Sequence, residues 1–136
     1  MELIKIIARF VDGRVMKGFV HDFLPDKPSF HMYPPPDSPA SQQAVEVAVD
    51  DLKALYFVRD FVGDPKYQER KEFLDGEKPP QGRKVEVTFK DGEVLVGSTL
   101  SYDRRRSGFF IFPVDPQVNN IRVFAVLKSV AKVRFF

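Results

Sequence analysis

The sequence predicts an all-β protein of two small five-stranded barrels, joined by a linker that carries a short helix. Three observations predict it. One nine-residue stretch occurs twice, as FVDGRVMKG at 10–18 and FKDGEVLVG at 89–97; each occurrence holds an Asp-Gly pair; and short apolar segments follow both. Apolar residues make up 43 % of the 136 residues, including fourteen Phe, so the chain can bury a core.

The two stretches belong to a longer internal repeat. A shift of 79 residues aligns 5–36 with 84–115 without a gap, and eight of these 32 positions are identical. About two identities would arise by chance at ordinary composition. The identical pairs are Lys5 and Lys84, Phe10 and Phe89, Asp12 and Asp91, Gly13 and Gly92, Val15 and Val94, Gly18 and Gly97, Phe30 and Phe109, and Pro34 and Pro113.

The repeat divides the chain into three predicted parts. When one residue is deleted the alignment resumes, and Leu52 then matches Val130. We therefore predict a first repeat at 1–61, a linker at 62–82 and a second repeat at 83–136.

The start of each repeat predicts a β-hairpin. In the second repeat Val85, Val87 and Phe89 alternate with polar residues, the period of a half-buried strand. Asp91-Gly92 follows, as Asp12-Gly13 does in the first repeat. An Asp-Gly pair between apolar segments favours a type I′ turn, which requires positive φ at both central residues.

The second strand of each repeat contains a glycine. We predict this strand at 94–102 in the second repeat, with Gly97 inside it, and Gly18 occupies the matching position in the first. A glycine within a strand indicates a bulge or a sharp bend. Five short strands with such a bend predict a small, strongly curved barrel.

The remaining strands follow from short apolar segments. They are predicted at 108–114, 121–126 and 131–136 in the second repeat, and near 30–34, 44–49 and 53–59 in the first. Phe109 is expected in the core because it matches Phe30. The Pro-rich segment 34–43 is expected to be a loop.

The linker predicts a short helix. Asp64 can cap it, Pro65 suits its first position and Gly76 suits its end. We expect the helix at about 65–74.

The order of residues in the second repeat resembles the Sm-like family, which includes bacterial Hfq. FKDGEVLVGSTLSYD at 89–103 has that family's Lys-Asp-Gly turn, then Gly97, the aromatic Tyr102 and Asp103. The ending VLKSVAKVRF at 126–135 is similar to the family's second motif. The tandem arrangement also resembles an uncharacterised bacterial family.

The resemblance implies a binding role for the loop after Tyr102. RNA-binding relatives place an Asn a few residues beyond the Asp, whereas this chain has Arg104-Arg105-Arg106 there, and Leu24 takes the Asp position in the first repeat. Arginines can grip phosphates or carboxylates with forked hydrogen bonds. Tyr102, Asp103 and the three arginines are therefore candidate ligands for an anionic partner, and a solvated charged turn is the alternative.

Charge is unevenly distributed along the chain. Residues 83–136 hold ten Lys and Arg against five Asp and Glu, whereas 1–61 hold seven against nine. The second repeat is therefore the better candidate to meet an anionic partner, nucleic acid included.

Several classes of function have no sequence support. The chain has no Cys, so thiolate metal sites and a Cys nucleophile are excluded. His21 and His31 lie ten apart, unlike compact metal-ligand spacings, and no catalytic or cofactor-binding motif occurs. No stretch approaches the ~20 apolar residues of a membrane span.

The sequence thus predicts a cytoplasmic, non-catalytic binding or scaffolding module without metal or cofactor and with no membrane association. Its expected partner is another protein or a second copy of itself. The alternative is an RNA- or nucleotide-binding module that uses the basic second repeat.

Overall fold

The structure, a computed structural model that describes residues 4–35, 43–79 and 81–136, is all-β. The first half forms β1 (Ile4–Phe10), β2 (Val15–Val20), β3 (Ser29–Met32), β4 (Val45–Ala48) and β5 (Leu52–Val58). The second half forms β6 (Arg83–Phe89), β7 (Val94–Thr99), β8 (Gly108–Pro113), β9 (Asn120–Val126) and β10 (Val130–Phe135). The all-β prediction is confirmed.

The elements of the two halves recur at the interval of the sequence repeat. β6 and β7 begin 79 residues after β1 and β2. A short 3₁₀ turn precedes the last strand of each half, at Val49–Asp51 and at Leu127–Ser129, 78 residues apart. The predicted loop at 34–43 lies mostly outside the described residues.

The strands form one large sheet and one small one. Eight strands pair in the order β10-β6-β7-β8-β9-β5-β1-β2, and β3 pairs with β4. The prediction of two barrels is wrong, because the last strand of the first half, β5, pairs antiparallel with β9 of the second, Leu55 opposite Phe124 and Tyr56 opposite Val123. The hydrogen-bonded sheet is therefore continuous between the halves.

Two hydrophobic clusters fill the molecule, and each takes side chains from both halves. The first contains Phe30, Leu55 and Phe57 of the first half together with Phe124 and Val126 of β9. The second surrounds Phe89 and Phe109, which is buried as predicted, and includes Ala54, Tyr56 and Val58 of β5. Because side chains of a strand alternate between faces, β5 and β9 each supply both clusters.

The two Asp-Gly turns differ in type from the prediction. Gly13 and Gly92 have φ of +96° and +97°, but every described residue other than glycine has negative φ, so type I′ is wrong. The Gly13 amide donates to the Phe10 carbonyl at 3.1 Å, as in a type I turn followed by a left-handed glycine. The Asp12 carboxylate accepts a hydrogen bond from the Arg14 amide at 3.0 Å, which favours a backbone conformation with negative φ at Asp12.

Gly18 and Gly97 lie where one strand passes very close to the next. A Cβ at Gly18 would sit 2.5 Å from the carbonyl oxygen of Tyr33, and one at Gly97 would come closer still to the carbonyl oxygen of Phe112. Backbone atoms cannot move aside as a flexible side chain can. Glycine is thus required by the approach of β2 to Tyr33 and of β7 to β8.

The predicted helix at 65–74 is absent, and the linker is held by the side chain of Asp115 instead. This buried carboxylate accepts hydrogen bonds from the Arg70 amide (2.9 Å), the Tyr67 hydroxyl (2.5 Å) and the Gln117 amide (2.9 Å). The Arg70 guanidinium in turn binds Glu77 at 2.7 Å. The Arg70 amide, which a helix would have paired with a backbone carbonyl, is bonded to Asp115 instead, and these tertiary contacts override the local helix signals.

Replacement of the close-approach glycines tests this packing. We expect Gly18→Val and Gly97→Val each to lower the free energy of unfolding by at least ~1 kcal/mol, because the new side chain meets a carbonyl oxygen. Chemical denaturation measures the loss. Gly63→Val is the matched control, since the nearest atom to a Cβ there lies at 3.7 Å. Midpoints unchanged from this control would contradict the close approach.

Replacement of Asp115 tests the linker clamp. An Asn side chain would turn its amide donor toward one of the present donors, so we expect Asp115→Asn to cost roughly 1–3 kcal/mol. We also expect faster tryptic cleavage between residues 64 and 79. Asp75→Asn, an exposed position of the same linker, is the control. Cleavage at the wild-type rate would show that Asp115 does not hold the linker.

Candidate functional site

Two of the three arginines predicted to form an anion site are paired with acidic side chains. The Asp103 carboxylate accepts from the Arg105 amide at 2.9 Å and pairs with the Arg105 guanidinium at 3.1 Å. Hydrogen bonds from Arg105 hold the pKa of Asp103 below its ordinary value. Arg106 pairs across the halves with Asp26 at 3.1 Å. Within the described parts of the chain, only Arg104 of the three has no acidic partner.

Tyr102 lies beside this loop but packs inward. Its ring meets Phe109 and Phe135 edge to face, with centroids 5.0 and 5.3 Å apart. It is half-buried against the second cluster. The structure therefore brings Tyr102, Asp103 and the arginines onto one loop, but it gives the ring a packing contact there.

The two histidines lie in the first half without a metal cluster. His31 pairs with Asp22 at 2.9 Å, and His21 stacks on Tyr33. Among the residues that the structure describes, no group of three or more His, Asp or Glu side chains is placed to hold a metal ion.

A polar cluster joins the halves at one end of the β5–β9 pair. Lys53, whose side chain is 12 % exposed, contacts Asp91 at 2.6 Å and Glu93 at 2.5 Å. Glu93 also accepts from the Tyr56 hydroxyl at 2.8 Å. Burial, and then the charge of Glu93, raise the pKa of Tyr56 above its ordinary value, so the hydroxyl stays a donor. A 450 Å³ cleft lies here, lined by Lys53, Lys90 and Lys128 among others.

A wider cleft lies at the other end of the pair. It has a volume of about 770 Å³ and is lined by residues 59–65 and 117–119, among others. Its polar groups connect the halves: Arg59 donates to the carbonyls of Val118 (3.2 Å) and Pro116 (2.9 Å), and Asn119 donates to the carbonyl of Asp60. Both clefts thus follow from the way the halves are joined.

The outer edge of β10 is open. β10 pairs with β6 on one side and stands at the end of the sheet, and no strand in the described ranges pairs with its other side. The Phe136 amide donates to the Lys84 carbonyl at 3.3 Å. In the alternating pattern of an antiparallel pair, the Arg134 backbone then also faces β6, and the amides of Val133 and Phe135 face outward.

Side chains along this edge differ between its two faces. Val133 and Phe135 are half-buried against the second cluster. Lys132 and Arg134, on the other face, are exposed. Arg134 binds Glu86 on β6 at 3.2 Å, whereas Lys132 has no acidic partner among the described residues. We define the β10 edge as Lys132–Phe136, and it is the candidate functional site.

Lys53, Asp115 and the β10 edge are not among the residues predicted from the sequence. A signal existed for the first: Lys53 interrupts the apolar run of residues 52–58, and its repeat match is Ala131. Asp115 is likewise a lone acid between Val114 and Pro116. Which strand lies at an edge depends on pairing with distant strands, so no local pattern signals it.

Comparison with known proteins gives a family match. The model of a family described as "Family of unknown function (DUF6982)" matches residues 5–136. No curated protein and no solved structure matches. Among the described residues, no helix has the length and apolar character needed to cross a membrane.

The polar cluster of Lys53, Asp91, Glu93 and Tyr56 generates a prediction about pH. A hydrogen bond from Lys53 is the main cause that lowers the pKa of Asp91. A lowered folded-state pKa stabilises the fold above the unfolded value of about 3.9 and loses this contribution as pH falls through the folded value. We expect Lys53→Met to raise the pKa of Asp91 toward its ordinary value and to weaken this acid dependence.

Carboxyl NMR titration of Asp91, with denaturation midpoints between about pH 2 and 6, measures both effects. Lys66→Met, an exposed linker position, is the control. An Asp91 pKa that is identical in wild type and Lys53→Met would contradict the assignment.

Proposed function

We propose a function for this chain, which belongs to DUF6982, a family of unknown function: it is a non-catalytic module that binds an extended segment of another protein by adding it as a strand to the β10 edge. The observation that carries the proposal is the open edge itself. Outward-facing backbone donors and acceptors of Val133 and Phe135 are a template for a further strand.

The chain contains a precedent for this mode of binding. In the repeat alignment β10 corresponds to β5, and Leu55 and Phe57 match Val133 and Phe135. β5 carries a neighbouring strand, β9, on the edge that is open in β10. All of β5 except Lys53 is buried by that addition and by its own half. An extended partner can therefore add to β10 in the way β9 adds to β5.

Several buried or largely buried polar groups support a structural use rather than catalysis. Lys53 and Asp115 are engaged in contacts that join the halves or hold the linker, and the Ser129 hydroxyl donates to the Leu52 carbonyl at 3.2 Å. We also infer that the two halves arose by tandem duplication and are Sm-like in origin, which the common interval of the strands supports.

Peptide display tests the proposal. Random linear 12-residue peptides are selected on the immobilised full chain, and the selected peptides are titrated against Val133→Pro. Proline removes the outward donor but no bond to β6, a position that edge strands tolerate. We expect the peptides to bind the wild type and the control Val62→Pro, an exposed loop position, and to lose binding to Val133→Pro. Equal binding to all three chains would contradict edge addition.

A second measurement does not depend on how Val133→Pro folds. We expect the amides of Val133 and Phe135 to exchange with solvent rapidly in the free chain and slowly with a selected peptide bound. Unchanged exchange on binding would contradict the proposal.

Short U-rich and A-rich RNAs test the nucleic-acid alternative. We expect no salt-sensitive binding, because Arg105 and Arg106 already have carboxylate partners. Micromolar binding that is lost when Arg104, Arg105 and Arg106 are all replaced by Ala, with a salt slope lower by about 0.7 per lost contact, would favour RNA instead.

A further inference from the structure

We infer that the β10 edge selects an extended segment in which acidic and apolar side chains alternate. This inference rests on the proposed function and names the chemical class of its partner.

The outer face of β10 carries positive charge where β5 has uncharged side chains. In the repeat alignment Lys132 and Arg134 match Ala54 and Tyr56, which lie opposite Ala125 and Val123 of β9 in the second cluster. A strand added to β10 in the same register would place two of its side chains opposite Lys132 and Arg134. A carboxylate suits the position opposite Lys132, which has no acidic partner among the described residues, and a second carboxylate would share Arg134 with Glu86.

The neighbouring strand adds to this charge. Lys84 lies on the same face of the sheet as Arg134, two residues from Glu86, the carboxylate that Arg134 binds. Lys84, Lys132 and Arg134 thus share this face with Glu86, and Lys84 also lies near Glu77, which is paired with Arg70. A partner with acidic side chains meets a net positive surface there.

The inner face of β10 requires apolar partners. Val133 and Phe135 match Leu55 and Phe57, and the residue opposite Leu55 is the fully buried Phe124. On β10 the same positions are only half-buried, and the Arg83 guanidinium lies 4.2 Å from the Phe135 ring centroid. An added strand would therefore bury apolar side chains against Val133 and Phe135, between its acidic ones.

A second copy of this chain does not supply this pattern. The strand that corresponds to β9 in the first half is β4, where Val47, Glu46 and Val45 would fall opposite Lys132, Val133 and Arg134. This arrangement sets valines against the charges and the acid against a valine. Two antiparallel β10 strands would set Lys132 against Arg134, like charges that repel. The partner is therefore a different protein.

Defined peptides test the inference. Fluorescent Glu-Val-Glu-Phe-Glu-Val-Glu, its Lys-for-Glu analogue, and a block version of the acidic peptide with all glutamates first are titrated against the full chain. Because Lys132 would attract a glutamate of the acidic peptide and repel a lysine of the analogue, we expect the alternating acidic peptide to bind about tenfold tighter than its Lys analogue. Its affinity should fall as salt rises.

Charge reversal on the edge is the matching variant. We expect Lys132→Glu to weaken the alternating acidic peptide by about tenfold and to strengthen the Lys analogue. Lys66→Glu makes the same change at an exposed linker position and should leave both affinities at the wild-type value. Equal effects of the two variants, or equal binding of the block and alternating peptides, would overturn the inference.

Hydrogen exchange distinguishes a failure of this inference from a failure of the proposed function. If the acidic and Lys peptides bind equally and both slow exchange at Val133 and Phe135, strand addition stands and the acidic preference is wrong. If neither these peptides nor the display-selected ones slow exchange at those amides, the proposed function itself fails. Preferential protection by the alternating acidic peptide supports both.

Discussion

The pairing of β5 with β9 is the interaction on which the rest of the structure depends. It joins the two halves into one eight-stranded sheet, and it sends side chains of both strands into both hydrophobic clusters. Tyr56 of the first half is buried in the second cluster, and Phe124 of the second half is buried in the first. Neither cluster is complete without the other half, because each would lose one wall and expose its apolar interior to water.

Polar contacts at both ends of this pair fix how the halves are joined. Lys53 and Glu93 meet at one end, and Arg59 binds the 116–118 loop at the other. A further contact between the halves is the ion pair of Arg106 with Asp26. A buried cation without its carboxylate would be costly, so these contacts favour one arrangement of the halves over alternatives. These contacts also pair charged side chains, such as Arg106, that would be free to bind an anion in an isolated second half.

The last strands of the two halves, β5 and β10, are not equivalent, although they match in the repeat alignment. Where β9 covers β5, the positions that match Lys132 and Arg134 are the uncharged Ala54 and Tyr56, whereas the corresponding edge of β10 carries those two cations on its outer face. Charged residues on an edge strand oppose indiscriminate pairing. The same charges favour an added strand with acidic side chains. The charges of Lys132 and Arg134 therefore both oppose unspecific strand pairing and select the strand that does pair.

The sequence by itself determined the strands, because the period-2 alternation around Val85–Phe89 and the left-handed glycines of the turns depend only on near neighbours. It also indicated Gly18 and Gly97 as special positions and Phe109 as a core residue. Tertiary structure decided the features that depend on residues far apart in the sequence. No helix forms at 65–74, because Asp115 binds Tyr67 and Arg70 from 45 or more residues away. The pairing of Arg106 with Asp26 and the joining of the halves through β5 and β9 likewise depend on distant residues. Strand pairing buries apolar surface between residues that are distant in the sequence. The open edge of β10 is therefore a property of the complete sheet and not of any short stretch of sequence.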